Sequence, residues 1–194
     1  MQISILRMPH GSMRAYLMAD YFALRKQVFV EQMGWQISAY DKYESEEYDN
    51  PIYPHYVLAH KNNRVVAGAR LLRCDTQIKQ GGTTYSYMIR DAVLGLIDLP
   101  SHITDEAPPT DAKSWELTRL VSIDPDPNVS QSVMSVAYEY VRRLDARQVL
   151  MLARPSVMRL ARKSGYKPTP IGPTVKNASG SFLAFRCGIN SEDR

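Results

Sequence analysis

A chain of 194 residues is long enough to bury a core without disulfide staples and fits one domain over 1–194. Its hydrophobic share of 44% and charged share of 23% are ordinary for a globular protein, which excludes a disordered or low-complexity chain. No apolar run approaches the roughly 18 residues of a spanning helix, and Met1–Leu6 turns polar too quickly for a signal peptide, so a cytoplasmic protein with no membrane partner is expected.

The net charge of +4 is unevenly spread. Asp41, Glu44, Glu46, Glu47 and Asp49 face only Lys42, whereas Arg142, Arg143, Arg147, Arg154, Arg159, Arg162, Lys163 and Lys167 face only Asp145. The basic group suits either a solvated helix face or an acidic partner. Cys74 and Cys187 have no Cys or His at metal-ligand spacing beside them and read as reduced thiols.

In chain order, Ser12 is placed to cap a helix over about 13–33, stopped by Gly34. Residues 36–54, polar and interrupted by Pro51 and Pro54, read as a loop. Tyr56–His60 and Arg64–Leu72 flank Lys61-Asn62-Asn63, a hairpin whose asparagines tolerate the left-handed turn. A loop over 75–86, a short helix over 88–96 and a Pro-rich loop over 100–113 follow. Trp115–Ile123 reads as a buried strand ended by Asp124-Pro125-Asp126-Pro127, and Ser130 as the cap of a helix over 131–146. A strand at 149–152, a helix over 156–164 closed by Gly165, and strands at 171–175 and 182–187 complete the pattern. This order predicts an α/β/α sandwich with a mixed sheet. The run of strand, Pro-rich bend, helix, strand and short helix is the order of N-acetyltransferase-like folds, whose central sheet splays.

Two clusters mix charge with aromatic bulk: Leu24–Trp35, and Trp115-Glu116-Leu117-Thr118-Arg119. Such mixtures suit a pocket for a charged, partly apolar small molecule. Together with Glu46, Asp49, Gly68 and Arg70-Leu71-Leu72, in this order and spacing, they make the chain from about Tyr21 to Gly165 resemble the acyl-homoserine lactone synthases (LuxI-type autoinducer synthases). Three departures stand out: Glu46 where the family has Asp, Thr118 where it has Ser, and Ala92-Val93-Leu94 where an aromatic residue is usual.

The resemblance implies acyl transfer from a thioester, on acyl carrier protein or coenzyme A, to the amine of S-adenosylmethionine, followed by lactonisation and release of methylthioadenosine. Both molecules are substrates; no cofactor and no metal are implied. Under this reading Arg25, Phe29, Trp35, Glu46, Asp49, Arg70 and Thr118 bind S-adenosylmethionine, and Glu116 and Arg119 are catalytic. Phe29 and Trp35 offer aromatic faces to the cation or adenine. Asp49 and Glu46 hold the amine, and Arg25, Arg70 or Arg119 orients the carboxylate. Glu116 takes the amine proton, and backbone N–H groups around 120–122 serve the oxyanion. Met134, Val141, Met151, Leu152, Ala153 and Met158 are expected to line the acyl pocket. Ala153 stands where the family tends to place hydroxyl residues that meet the third acyl carbon, which disfavours a 3-oxo donor.

Simpler roles compete. Trp35 suits a core plug, Arg25 and Glu116 suit a buried pair, and Asp49 suits a turn. A generic acetyltransferase would want a Gly-rich diphosphate loop, yet residues 124–130 contain no glycine. A basic nucleic-acid module is the third reading, but no helix-turn-helix, zinc-finger or aromatic RNA-binding motif appears, so no nucleic acid is expected. A monomer is the default.

Overall fold

The computed structural model describes residues 1–7, 15–50, 52–177 and 179–189. Along the chain, β1 (Gln2–Arg7) leads to α1 (Ala15–Arg25), which continues as a π-helical stretch (Lys26–Gln32). A small hairpin, β2 (Ala39–Tyr40) and β3 (Tyr43–Glu44), and a 3-10 turn (Glu47–Asp49) precede β4 (His55–Lys61) and β5 (Arg64–Arg73). Next come β6 (Ile78–Gln80), β7 (Thr83–Tyr85), α2 (Met88–Val93), β8 (Ser114–Ser122) and α3 (Asn128–Arg143). The chain then forms β9 (Gln148–Ala153), α4 (Pro155–Lys163), β10 (Thr169–Asn177) and β11 (Gly180–Gly188).

Seven strands form one sheet in the order β1-β4-β5-β8-β9-β11-β10. All neighbours are antiparallel except β8 and β9, which the helix α3 joins in parallel as a crossover requires. These two pair only from Ser114↔Gln148 to Glu116↔Leu150. Beyond that point β8 keeps its partner β5 but has none in β9, so the sheet opens into a slot. The predicted mixed, splayed sheet is therefore present.

The apolar residues sort by strand alternation. Val57, Ala69, Leu71, Trp115, Leu117, Val149, Met151, Phe185 and Cys187 face α3 and α4. On the other face, α1 covers Tyr56, Leu58 and Val121, while the α2 side covers Leu72, Leu150 and Ala184. Both cysteines are buried and free.

The hairpin is as expected, with Asn62 and Asn63 at φ 48° and 60°, the pair of left-handed residues a two-residue turn wants. Gly34 ends the first helix at φ +70°. Several boundaries differ. Ser12 lies outside the described residues. The first helix is α-helical only to Arg25; Met33 N–H then reaches back five residues to the Val28 carbonyl, an insertion that no apolar periodicity over this stretch reveals. Residues 36–54 and 75–86 are not plain loops but carry the short hairpins β2–β3 and β6–β7. β1 was not anticipated; it is an edge strand paired with β4. Ser130 lies inside α3, whose start is held instead by Asp126: its carboxylate accepts Asn128 N–H at 2.9 Å and its carbonyl Val129 N–H at 3.1 Å.

Candidate active site

The site sits on the α1 face, where the first helix, the turn Glu47–Asp49, β5 and β8 meet. Asp49 is its hub. Its Oδ1 accepts from Arg25 Nη1 (2.9 Å), Arg70 Nη1 (3.0 Å) and the Tyr56 hydroxyl (2.9 Å). Its Oδ2 accepts from Arg25 Nη2 (2.9 Å) and Glu46 N–H (3.0 Å). Burial alone would raise the Asp49 pKa, but Arg70 and Arg25 outweigh it and hold the carboxyl well below its usual range.

The remaining ions are shared out just as tightly. Arg25 Nε donates to Glu44, so all three of its nitrogens are occupied. Arg70 donates through Nε to Thr118 Oγ1 (3.1 Å), through Nη1 to Asp49 and through Nη2 to Glu46 (2.6 Å). Arg119 Nη2 donates to Glu46 and lies 3.4 Å from Glu44 Oε1. Burial opposes ionisation of Glu46 too, and Arg119 and Arg70 override it to lower its pKa. Three arginines thus meet three carboxylates, a balance that buried charge demands.

Three buried polar atoms beside this network have no hydrogen-bond partner among the described residues: Arg119 Nε, Glu44 Oε1 and Trp35 Nε1. Such groups are costly to leave unpaired in the low-dielectric interior.

Trp35 and Phe29 stack at 4.8 Å with their planes 11° apart. The Arg119 guanidinium stands 5.6 Å over the Phe29 ring, and Arg154 stands 5.9 Å over Trp35. The column therefore runs guanidinium, ring, ring, guanidinium. Phe182 meets the edge of Trp35 at 5.8 Å, which brings the end of β11 against the same rings. The aromatic pair is assembled, but its faces are occupied rather than open. Trp35 is half-buried, so it is not a simple core plug.

Glu116 lies one strand residue from Leu117 but on the opposite face. Its two oxygens accept Met88 N–H and Ile89 N–H, both at 2.9 Å, so it caps the start of α2. It does not pair with Arg25. Burial pushes its pKa up to about 7, against the opposing pull of the Ile89 and Met88 amides. Met88 connects it to the network, with Sδ 3.8 Å from Arg70 Nη2.

Arg25, Glu46, Asp49, Arg70, Thr118 and Arg119 are thus brought together, with Phe29 and Trp35 alongside. Two assignments change. Asp49 accepts five protein hydrogen bonds, more than the roughly four lone-pair sites of a carboxylate, and has none to offer an amine, and Thr118 serves as an acceptor for Arg70. Glu44, fully buried between Arg25 and Arg119, was missed. Its alternation with Glu46 along one extended stretch was the signal that could have found it. In the expected acyl lining, Met134, Val141, Met151 and Met158 do share the α3/α4 face, with Ala153 at its margin. Leu152 does not: alternation turns it to the α2 side with Leu150.

An acyl-homoserine-lactone synthase of Pseudomonas aeruginosa is 24% identical over 186 residues, covering 94% of this chain and 85% of the relative. TofI, solved in a ternary complex with an inhibitor and MTA, superposes with a TM-score of 0.79 at 25% identity, covering 100% and 94% of the two chains. An acyl-CoA N-acyltransferase from Pseudomonas aeruginosa, 13% identical with a TM-score of 0.60 over 96% and 99% of the chains, shares the fold alone and makes it N-acetyltransferase-like. Residues 10–192 match the family profile described as autoinducer synthase, and the chain belongs to that family.

Proposed function

We propose that the chain transfers an acyl group from a thioester to the amine of S-adenosylmethionine and closes the product to an acyl-homoserine lactone, a quorum-sensing signal. The observation that carries this reading is the pair of buried donors without a hydrogen bond, Arg119 Nε and Trp35 Nε1, beside an aromatic stack and a splayed sheet. A ligand that satisfies them needs an acid, a cation and an adenosine-like body, which S-adenosylmethionine combines. TofI, at 25% identity, holds MTA, the abbreviation of the by-product this reaction releases.

The chemistry distributes as follows. Arg119 orients the methionyl carboxylate, because every nitrogen of Arg25 and Arg70 already donates within the protein whereas Arg119 Nε does not. Glu46 receives the amine: its side chain is 12% exposed, against 4% for Asp49 and 0% for Glu44. Asp49 and Thr118 hold the arginines in place. The sulfonium and adenine approach Trp35 as Arg154, whose hydrogen bond is to the Ser179 carbonyl at 3.2 Å, yields its face.

A free α-amino group has a pKa near 8, so a proton must be removed before attack. Glu116, poised near neutrality, accepts it directly or through water. The amine nitrogen bonds the thioester carbon, the C–S bond breaks, and the thiolate leaves with the electron pair and takes up the second amine proton. The methionyl carboxylate oxygen then bonds Cγ as the sulfonium C–S bond breaks, closing the lactone. Backbone amides of β8 beyond Glu116, on the edge that β9 no longer covers, serve the oxyanion. No oxidant, cofactor or metal enters this balance.

The acyl chain lies on the α3/α4 face against Met134, Met151, Ala153 and Met158. The donor is acyl carrier protein or coenzyme A, each acidic and so matched to the basic residues of α4. Residues 1–194 act as one synthase domain, a monomer in the cytoplasm with neither membrane nor nucleic-acid partner; among the described residues no helix is long and apolar enough to cross a membrane.

The test is methylthioadenosine release by purified protein, over straight, branched and aromatic acyl groups on both carriers. Release that requires one thioester is expected. Turnover of acetyl coenzyme A with other amines, and none with S-adenosylmethionine, would replace the reading with a plain acetyltransferase.

A further inference from the structure

Arg119 lies on the wrong side of its strand for a regular alternation. Trp115 and Leu117 face α3, and Glu116 and Thr118 face the opposite side, so Arg119 should follow Leu117 into the apolar α3 face. It does not, because φ at Arg119 is +52° and β8 bulges there: Thr118 pairs with Arg70 and Val121 with Gly68, leaving two residues against one. The bulge keeps Arg119 on the side of Glu46 and Glu44.

A left-handed arginine is strained and persists only when its surroundings fix it. Tyr21 supplies that constraint. Its hydroxyl donates to the Arg119 carbonyl at 2.8 Å, and its ring is completely buried. The ring lies against Gly68, where an added Cβ would fall 2.7 Å from Tyr21 Cε2 and 2.8 Å from Leu58 Cδ2. Gly68 is therefore bare so that the ring can reach across β5 to the bulge in β8. Burial raises the Tyr21 pKa above that of a free phenol, so the hydroxyl stays protonated and donating at working pH.

We propose that Tyr21, seated on Gly68, is a positioning residue that locks the β8 bulge and so sets which face of the sheet receives the Arg119 guanidinium. The inference rests on the S-adenosylmethionine reading of the site. Tyr21 touches no reacting atom; its ring also packs against Arg25 and Tyr56, and its hydroxyl acts through the Arg119 carbonyl.

Tyr21→Phe keeps the ring on Gly68 and removes only the hydrogen bond, so the fold is retained. Wild type, Tyr21→Phe, Arg119→Ala and the double variant are compared by kcat and KM for each substrate and by thermal midpoint. Loss of one buried hydrogen bond should lower kcat/KM for S-adenosylmethionine about tenfold. KM for the acyl thioester should not move, and Tyr21→Phe should add less than about twofold to Arg119→Ala. An equal loss in both backgrounds, or a loss that tracks a falling thermal midpoint, would make Tyr21 merely structural and overturn the proposal. Full activity of Tyr21→Phe would do the same. A wild-type protein that releases no methylthioadenosine removes the functional reading instead, and this proposal with it.

Discussion

Glu116 shows how much a single residue can be asked to do. Its carboxyl is buried, it closes the amide end of α2, and its pKa is pushed up to about 7. A folded pKa above the unfolded value of 4.5 means the native state holds its proton more tightly. The stability this contributes is complete below pH 4.5 and is lost as pH rises through 7. The same titration makes Glu116 a competent base only above that range. Acyl transfer should therefore climb with pH through about 7. Glu116→Gln should abolish that inflection, lower the rate at least about a hundredfold, and flatten the loss of unfolding free energy between mildly acidic and mildly alkaline pH. A rate profile unchanged by the substitution would remove Glu116 from proton transfer. The residue type and position were legible in the sequence; the capping role was not, because nothing in Trp115–Arg119 says that α2 will start against it.

At the scale of elements, the strands were the more legible. Asn62-Asn63 fixed the hairpin, and the apolar run after Lys113 fixed β8, since turn chemistry and strand periodicity are local. The π-helical turn was hidden, because one widened turn leaves Phe29 and Trp35 apolar in sequence while re-aiming them toward each other. Leu152 was misplaced for a related reason: a short apolar run such as Val149–Leu152 does not say which residue faces which layer until its neighbours are known. With the register set, Ala153 and Met151 point toward α3 and α4, and the acyl prediction sharpens. Ala153→Thr adds a hydroxyl at that margin and should raise kcat/KM for 3-oxo donors about tenfold relative to unsubstituted ones, the scale of one hydrogen bond. An unchanged donor preference in that variant would place the third acyl carbon elsewhere.

For the whole molecule, the design is a sheet that is closed at one end and parted at the other. β8 and β9 are parallel neighbours for three residues, the last of them Glu116, and separate where Thr118 and Arg119 reach the buried ions. The acidic segment and the three arginines, remote in sequence, neutralise one another there. Their separate motifs were readable in the chain, but not their division of labour, since which cation keeps an unpaired nitrogen depends on contacts such as Glu46 to Arg119, 73 positions apart. On the proposed reading, Arg119 presents the methionyl carboxylate for ring closure on an amine already acylated. The direct measurement is the mass of the product formed from S-adenosylmethionine carrying oxygen-18 in both carboxylate positions. The expected product is an acyl-homoserine lactone that retains both labels, with one equivalent of methylthioadenosine. A lactone that has lost one label, or an acylated product with the sulfonium intact, would contradict it.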